Sequence, residues 1–149
     1  MASFADGKIE VFLGPEDLGG ADDLERVLVE FIADARRSLS IAVQELDSRP
    51  VAQAILDARW RGVRVEVFLE QDYLQTSLPA RPADPTPEGD ETVQEARRRV
   101  QWEARPAGLS DNRAILAALL GNDVTVKGDY NPAVFHQKFV LRDYDGTAR

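Results

Sequence analysis

The chain has 149 residues, enough for one domain, and no cysteine, which excludes disulfides, thiolate zinc sites and cysteine nucleophiles. Hydrophobic residues make up 44% and charged residues 30%, the balance of a soluble globular unit. Lys and Arg number 18 against 26 Asp and Glu, a formal charge of −8 that works against non-specific nucleic-acid binding without excluding a local basic patch.

The start, Met1 to Asp6, has neither a basic n-region nor an apolar h-region, and no apolar run reaches membrane length. The expectation is a cytoplasmic protein with no transmembrane segment. Lys8 to Leu13 (KIEVFL) is a β-prone run closed by Gly14-Pro15. Asp22-Asp23 opens a helix, with Glu25 three residues after Asp22 in a box-like arrangement. Leu24, Val27, Leu28, Phe31, Ile32 and Ala35 recur at steps of three and four, so one face is buried.

Ser38 to Gln44 (SLSIAVQ) reads as a strand. Ser48 caps a second helix with Pro50 in its first turn; Val51, Ala54, Ile55 and Ala58 form its inner face and Gly62 ends it. Val63 to Leu69 (VRVEVFL) is the next strand. Two strands around a helix of this length predict a parallel, right-handed crossover. From Tyr73 to about Asp90 the chain turns rich in proline and reads as an irregular surface loop. Asp72 and Tyr73 close the preceding strand, with Glu45 in the corresponding place after the earlier one. Thr92 to Trp102 is spaced as a modest amphipathic helix, broken by Pro106-Ala107-Gly108. The stretch of about 73–108 reads as an insertion into a single domain spanning 1–149.

Ser110 caps a further helix, with Ile115, Leu116, Leu119 and Leu120 inward and Gly121 as its stop. Val124 to Lys127 is a short strand, and a turn through Gly128 to Pro132 leads into a last strand, Ala133 to Leu141. The order predicts an α/β domain: a mixed, mostly parallel sheet between helices.

The last strand holds the sole histidine of the chain, His136, and Lys138 follows two residues later. On a strand both side chains leave one face. Imidazole can attack phosphorus and ammonium can neutralise phosphoryl oxygens, so the pair suits phosphodiester chemistry. Asp143 completes the spacing His-x-Lys-x4-Asp (HQKFVLRD) and joins His136 and Lys138 in the candidate catalytic set. Its opposite strand parity gives it a structural or orienting part. Arg97-Arg98-Arg99 reads as a solvated helix face balanced by Glu91, Glu95 and Glu103, and Trp60 and Trp102 as packing. One His, no Cys and no tight acidic cluster beyond Asp22-Asp23 predict no metal.

This spacing resembles the signature of the phospholipase D superfamily, and so do the upstream strand SLSIAVQEL and the run ARWRGVRVEVFLE. The likeness extends over nearly the whole chain outside the Pro-rich insertion. It implies an α-β-α layered fold and a two-step, cofactor-free and metal-independent reaction through a phosphohistidine. One motif histidine attacks in that reaction, and a second motif's histidine protonates the leaving oxygen. His136 would then be the nucleophile and Lys138 the phosphate-binding cation. Glu45, by its place at the carboxyl edge of the sheet rather than by the resemblance, is a further candidate for contact with substrate, read beside the simpler one of a solvated loop carboxylate.

The chain carries one such motif and ends at Arg149 before any Gly-Ser-x-Asn element. The expectation is therefore an N-terminal portion or half-site. Its partner is a second motif-bearing half, from the same longer chain, a homodimer or another chain. The favoured activity is nuclease-type phosphodiester hydrolysis. Two further readings stand beside it: a phospholipid hydrolase or transphosphatidylase, and a catalytically silent interaction module.

Overall fold

The computed structural model describes residues 1–7, 9–71, 74, 85–103, 111–129 and 133–144. A short antiparallel ribbon comes first, β1 (Ala2–Phe4) against β2 (Ile9–Val11), with all six residues exposed. The pattern KIEVFL anticipates β2 but not β1. Helix α1 (Leu24–Ala33), strand β3 (Ser38–Val43), helix α2 (Arg49–Trp60) and strand β4 (Arg64–Glu70) follow. Then come α3 (Val93–Glu103), α4 (Asp111–Gly121), β5 (Thr125–Asp129) and β6 (Lys138–Arg142).

Local chemistry sets the helix starts. Asp23 caps α1, its carboxylate accepting the Arg26 N–H at 3.0 Å. The box expected around Asp22 does not form. Asp22 accepts the Leu13 N–H and the N-terminal ammonium, both at 2.9 Å, while Glu25 accepts the Ser48 hydroxyl at 2.7 Å. Ser48 caps α2 through the Val51 N–H at 3.2 Å, with Pro50 in the first turn. Gly62, at φ 89°, ends that helix in the left-handed region where a Cβ would be strained. Thr92 and Glu95 form a reciprocal box at the start of α3: the Thr92 N–H donates to Glu95 at 2.8 Å and the Glu95 N–H to Thr92 Oγ1 at 3.2 Å.

The main sheet has the order β5-β4-β3-β6. β3 pairs with β4 and β4 with β5 in parallel, whereas β6 runs antiparallel along β3. The mixed, mostly parallel α/β sheet flanked by helices is therefore as expected, although among the described residues the helices lie on one face of it and not on both. Strand parity divides its two faces. Leu39, Ile41, Val65, Val67 and Leu69 join one buried cluster with Ile32 of α1, Ile55 and Leu56 of α2, and Ile115, Leu116 and Leu119 of α4. The alternate residues Glu66, Phe68, Lys127, Phe139 and Leu141 lie on the opposite face. Phe68 is 37% exposed, Phe139 46% and Leu141 43%. Among the described residues, no helix packs on that face.

The last strand is shorter than its sequence suggests. It begins at Lys138, and Val134 to Gln137 form no strand. The register explains this: Lys138 lies opposite Val43, the final residue of β3, so the segment before Lys138 has run past the end of its partner. Apolar composition alone could not reveal where that partner stops.

Parts of the insertion expected over about 73–108, with Asp72 and Tyr73, lie outside the described residues, as do the Ser110 cap and the turn at 130–132. Helix α3 is described, and it packs beside α2: Arg98 pairs with Asp57 at 2.5 Å and Trp102 Nε1 donates to Gln53 at 2.6 Å. Trp60 Nε1 donates to Asn122 at 3.0 Å, so both indoles act in packing, as read from sequence.

Candidate active site at the carboxyl edge of the sheet

In a parallel sheet the strand ends and the starts of the following helices gather at one edge, where ligands meet loops rather than ladders. Here that edge is formed by Val43 at the end of β3 and Gln44 after it, Glu70 at the end of β4, Asp129 at the end of β5 and, because β6 is antiparallel, Lys138 at the start of β6. The Glu70 N–H donates to the Gln44 carbonyl at 3.2 Å, carrying the β3–β4 pairing one step beyond the ladder.

His136 and Lys138 are both exposed. Among the described residues, neither side chain takes part in a hydrogen bond or ion pair. Lys138 takes its orientation from the strand and shares the face of Val43, its ladder partner. His136 sits two residues outside the strand, so the parity rule that joined it to Lys138 does not govern it. What tethers its segment is Glu70, 6% exposed, whose Oε2 accepts the Phe135 N–H at 2.6 Å while Oε1 accepts the Gln71 N–H at 3.0 Å. Glu70 escaped the sequence reading. The signal was present in VRVEVFLE, where a carboxylate follows directly on the last inward apolar residue, Leu69.

Glu45 is exposed beyond β3 and accepts the Asn112 side-chain amide at 3.3 Å. Arg49, first residue of α2, forms a two-pronged pair with Asp111, first residue of α4, at 2.9 and 2.6 Å. The starts of both helices are thus locked together at this edge, where their amide ends favour negative charge. Among the described residues, no group of three or more His, Asp or Glu side chains is arranged to hold a metal ion.

Asp143 lies elsewhere. It follows β6 at the opposite end of the sheet, about 17 Å from Lys138 at the usual rise of a strand. Its carboxylate accepts main-chain N–H groups of Arg37 at 2.6 Å and of Arg36 and Ser38 at 3.1 Å, and its own N–H donates to the Ser38 carbonyl at 2.8 Å. These bonds, that from Arg37 foremost, hold its carboxyl below the usual aspartate range. Its φ of 52° is a left-handed conformation that Asp tolerates better than most residues. With every oxygen turned to backbone and a whole strand between it and His136, Asp143 is a clasp between β6 and the start of β3, in keeping with the structural part its strand parity gives it.

The fold is thus an α/β layer whose candidate site occupies the carboxyl edge of a mixed sheet. Among solved structures it is similar to the crystal structure of a phospholipase D family member, Nuc from Salmonella typhimurium, with a TM-score of 0.55 and 16% identity, covering 90% of this chain and 63% of that one. At that identity the likeness shows the fold, and the chain spans less than two thirds of that neighbour. No protein-family model matches the chain, and no curated protein matches it in sequence. Among the described residues, no helix is long and apolar enough to cross a membrane.

Proposed function

We propose that the chain is one half of a phosphodiesterase of the phospholipase D kind, acting most naturally on nucleic-acid phosphodiesters. The observation that carries this reading is that His136 and Lys138, both exposed and, among the described residues, without a hydrogen bond or ion pair, lie two residues apart at the carboxyl edge, where a buried carboxylate tethers the His136 segment. The fold likeness to a phospholipase D family member supports it independently of the motif.

In the first step an imidazole nitrogen of His136 attacks phosphorus as the bond to the leaving oxygen breaks. Lys138 neutralises the non-bridging oxygens as charge builds there. The leaving oxygen takes a proton from an imidazole of the second half, because the chain holds one histidine only. That second imidazole, now neutral, draws a proton from water. The resulting hydroxide attacks the phosphohistidine, releasing a phosphate monoester and restoring His136. The exposed apolar sheet face with Phe68, Phe139 and Leu141 supports the need for a second half, since isolated domains seldom leave such a face open.

The test is trapping of a phosphohistidine from end-labelled single-stranded DNA by rapid quench into alkaline detergent, in the presence of EDTA. Label stable to base and lost in acid, absent in His136→Ala, is the expected result. Turnover that survives His136→Ala and disappears with EDTA overturns the reading. Headgroup release from phosphatidylcholine without DNA cleavage would replace nucleic acid by lipid as the substrate.

A further inference from the structure

We infer that Glu70 is a positioning residue for His136, acting through the main chain of Phe135; the purpose assigned to it rests on the phosphodiesterase reading, the geometry does not. A carboxylate at 6% exposure is costly unless its oxygens are met by donors. Both are met here, by the Gln71 and Phe135 N–H groups at 3.0 and 2.6 Å. The first bond is local and closes the end of β4. The second crosses 65 residues of sequence to a segment with no strand to pair with, because β3 stops at Val43.

Among the described residues, it is the one hydrogen bond made by the stretch Val134 to His136. Glu70 therefore supplies the acceptor that a longer β3 would have supplied. It does so for the residue directly before the candidate nucleophile, and its own N–H is held by Gln44 at 3.2 Å. The ends of β3 and β4 and the segment before β6 thus meet at this one residue, the first through its main chain and the last through its carboxylate. Fixing the Phe135 N–H fixes the peptide plane leading toward His136 and narrows the positions its Cα can take. Such pre-organisation matters because a misplacement of about 1 Å at a reacting group can lower a rate by about 10²-fold. With both oxygens turned to amide donors, Glu70 has a holding role rather than a proton-transfer one.

The experiment uses the sole histidine as its own reporter. Amide exchange at Phe135 and the ring resonances of the single imidazole are followed by NMR in the intact chain as wild type, Glu70→Gln and Glu70→Ala. Gln keeps a carbonyl oxygen for the Phe135 N–H at the same reach and sets its amide against the local Gln71 N–H, so it should lose some stability at the end of β4 yet retain most of the Phe135 protection and a near-native imidazole signal. Ala should lose at least about 10-fold in protection and shift the imidazole resonances toward those of a mobile ring. In the enzyme assembled with its second half, Ala should lower kcat by about 10²-fold with KM held within about twofold, and Gln should restore most of it.

An unchanged Phe135 amide and imidazole in folded Glu70→Ala overturns the inference, as does a Gln variant as impaired as Ala. Should Ala fail to fold, Glu70→Asp decides. It keeps the charge but is one methylene short, so it must lose protection, and a native-like Asp variant overturns the proposal. Lost protection together with no turnover in any variant, wild type included, sinks the phosphodiesterase reading while leaving Glu70 as the tether of the loop.

Discussion

A carboxylate oxygen of Asp143 accepts the main-chain N–H of Arg37 at 2.6 Å, joining residues 106 apart in sequence. The last residue of the motif thus grips the loop between α1 and β3, and Arg142 beside it stacks over Phe31 at 4.4 Å and donates to the Phe31 carbonyl at 3.1 Å. Together they tie the end of β6 to α1 and to the start of β3.

This clasp predicts an acid-sensitive stability. The folded-state pKa of Asp143 is depressed, so its contribution is present above the unfolded value, ~3.9, and is lost as pH falls through the folded value. Asp143→Asn turns an amide donor toward N–H donors and should lower Tm by several degrees at pH 7. Melting of the two proteins between pH 7 and 3 should show the gap closing below about pH 4. A gap independent of pH contradicts this account.

His136 is exposed and outside any strand, so its removal should leave packing intact. His136→Ala is expected to match wild type in far-UV circular dichroism and urea midpoint while abolishing turnover in the assembled enzyme. A substantial loss of stability would mean that the imidazole is structural.

Lys138 heads β6 with its ammonium free among the described residues. Lys138→Ala should reduce kcat/KM by roughly 10 to 10²-fold, the worth of one charge-assisted hydrogen bond. Lys138→Arg should recover part of it. Steady-state kinetics on a diester at two salt concentrations would measure both, with the lysine's share shrinking as salt rises.

In the helical layer, Ile55 is fully buried between α2 and the sheet. Ile55→Ala should cost about 2–5 kcal/mol, read from the urea transition. On the opposite face Leu141 is 43% exposed, and Leu141→Ser should change stability little while lowering the uptake of an apolar fluorescent dye. Equal losses at the two sites would refute the one-sided core.

Much of this architecture was legible in the chain. The stripe Leu24 to Ala35, the Ser48-Pro50 start and the alternation of VRVEVFL each encode a local preference that tertiary packing then obeys. The β1–β2 ribbon was not legible, since its exposed residues carry no pattern of burial. The site was read in part. His136 and Lys138 are chemically conspicuous and adjacent in sequence, so composition and spacing exposed them. Glu70 and Asp143 act by gripping backbone far away, at separations of 65 and 106 residues, and no local rule reports such a reach. The end of β6 nearest His136 was overextended for the same reason, because its limit is set by where β3 stops.

The antiparallel seating of β6 turns the motif into a ruler. Its aspartate is pinned at one rim of the sheet, the five residues Lys138–Arg142 measure off the width, and the histidine emerges just past the other rim. A two-residue slip would carry the imidazole about 7 Å along the strand direction, and a one-residue slip would turn Lys138 to the opposite side. The interval between the motif's letters is thus a length in ångströms, matched to the span of the strand beside it.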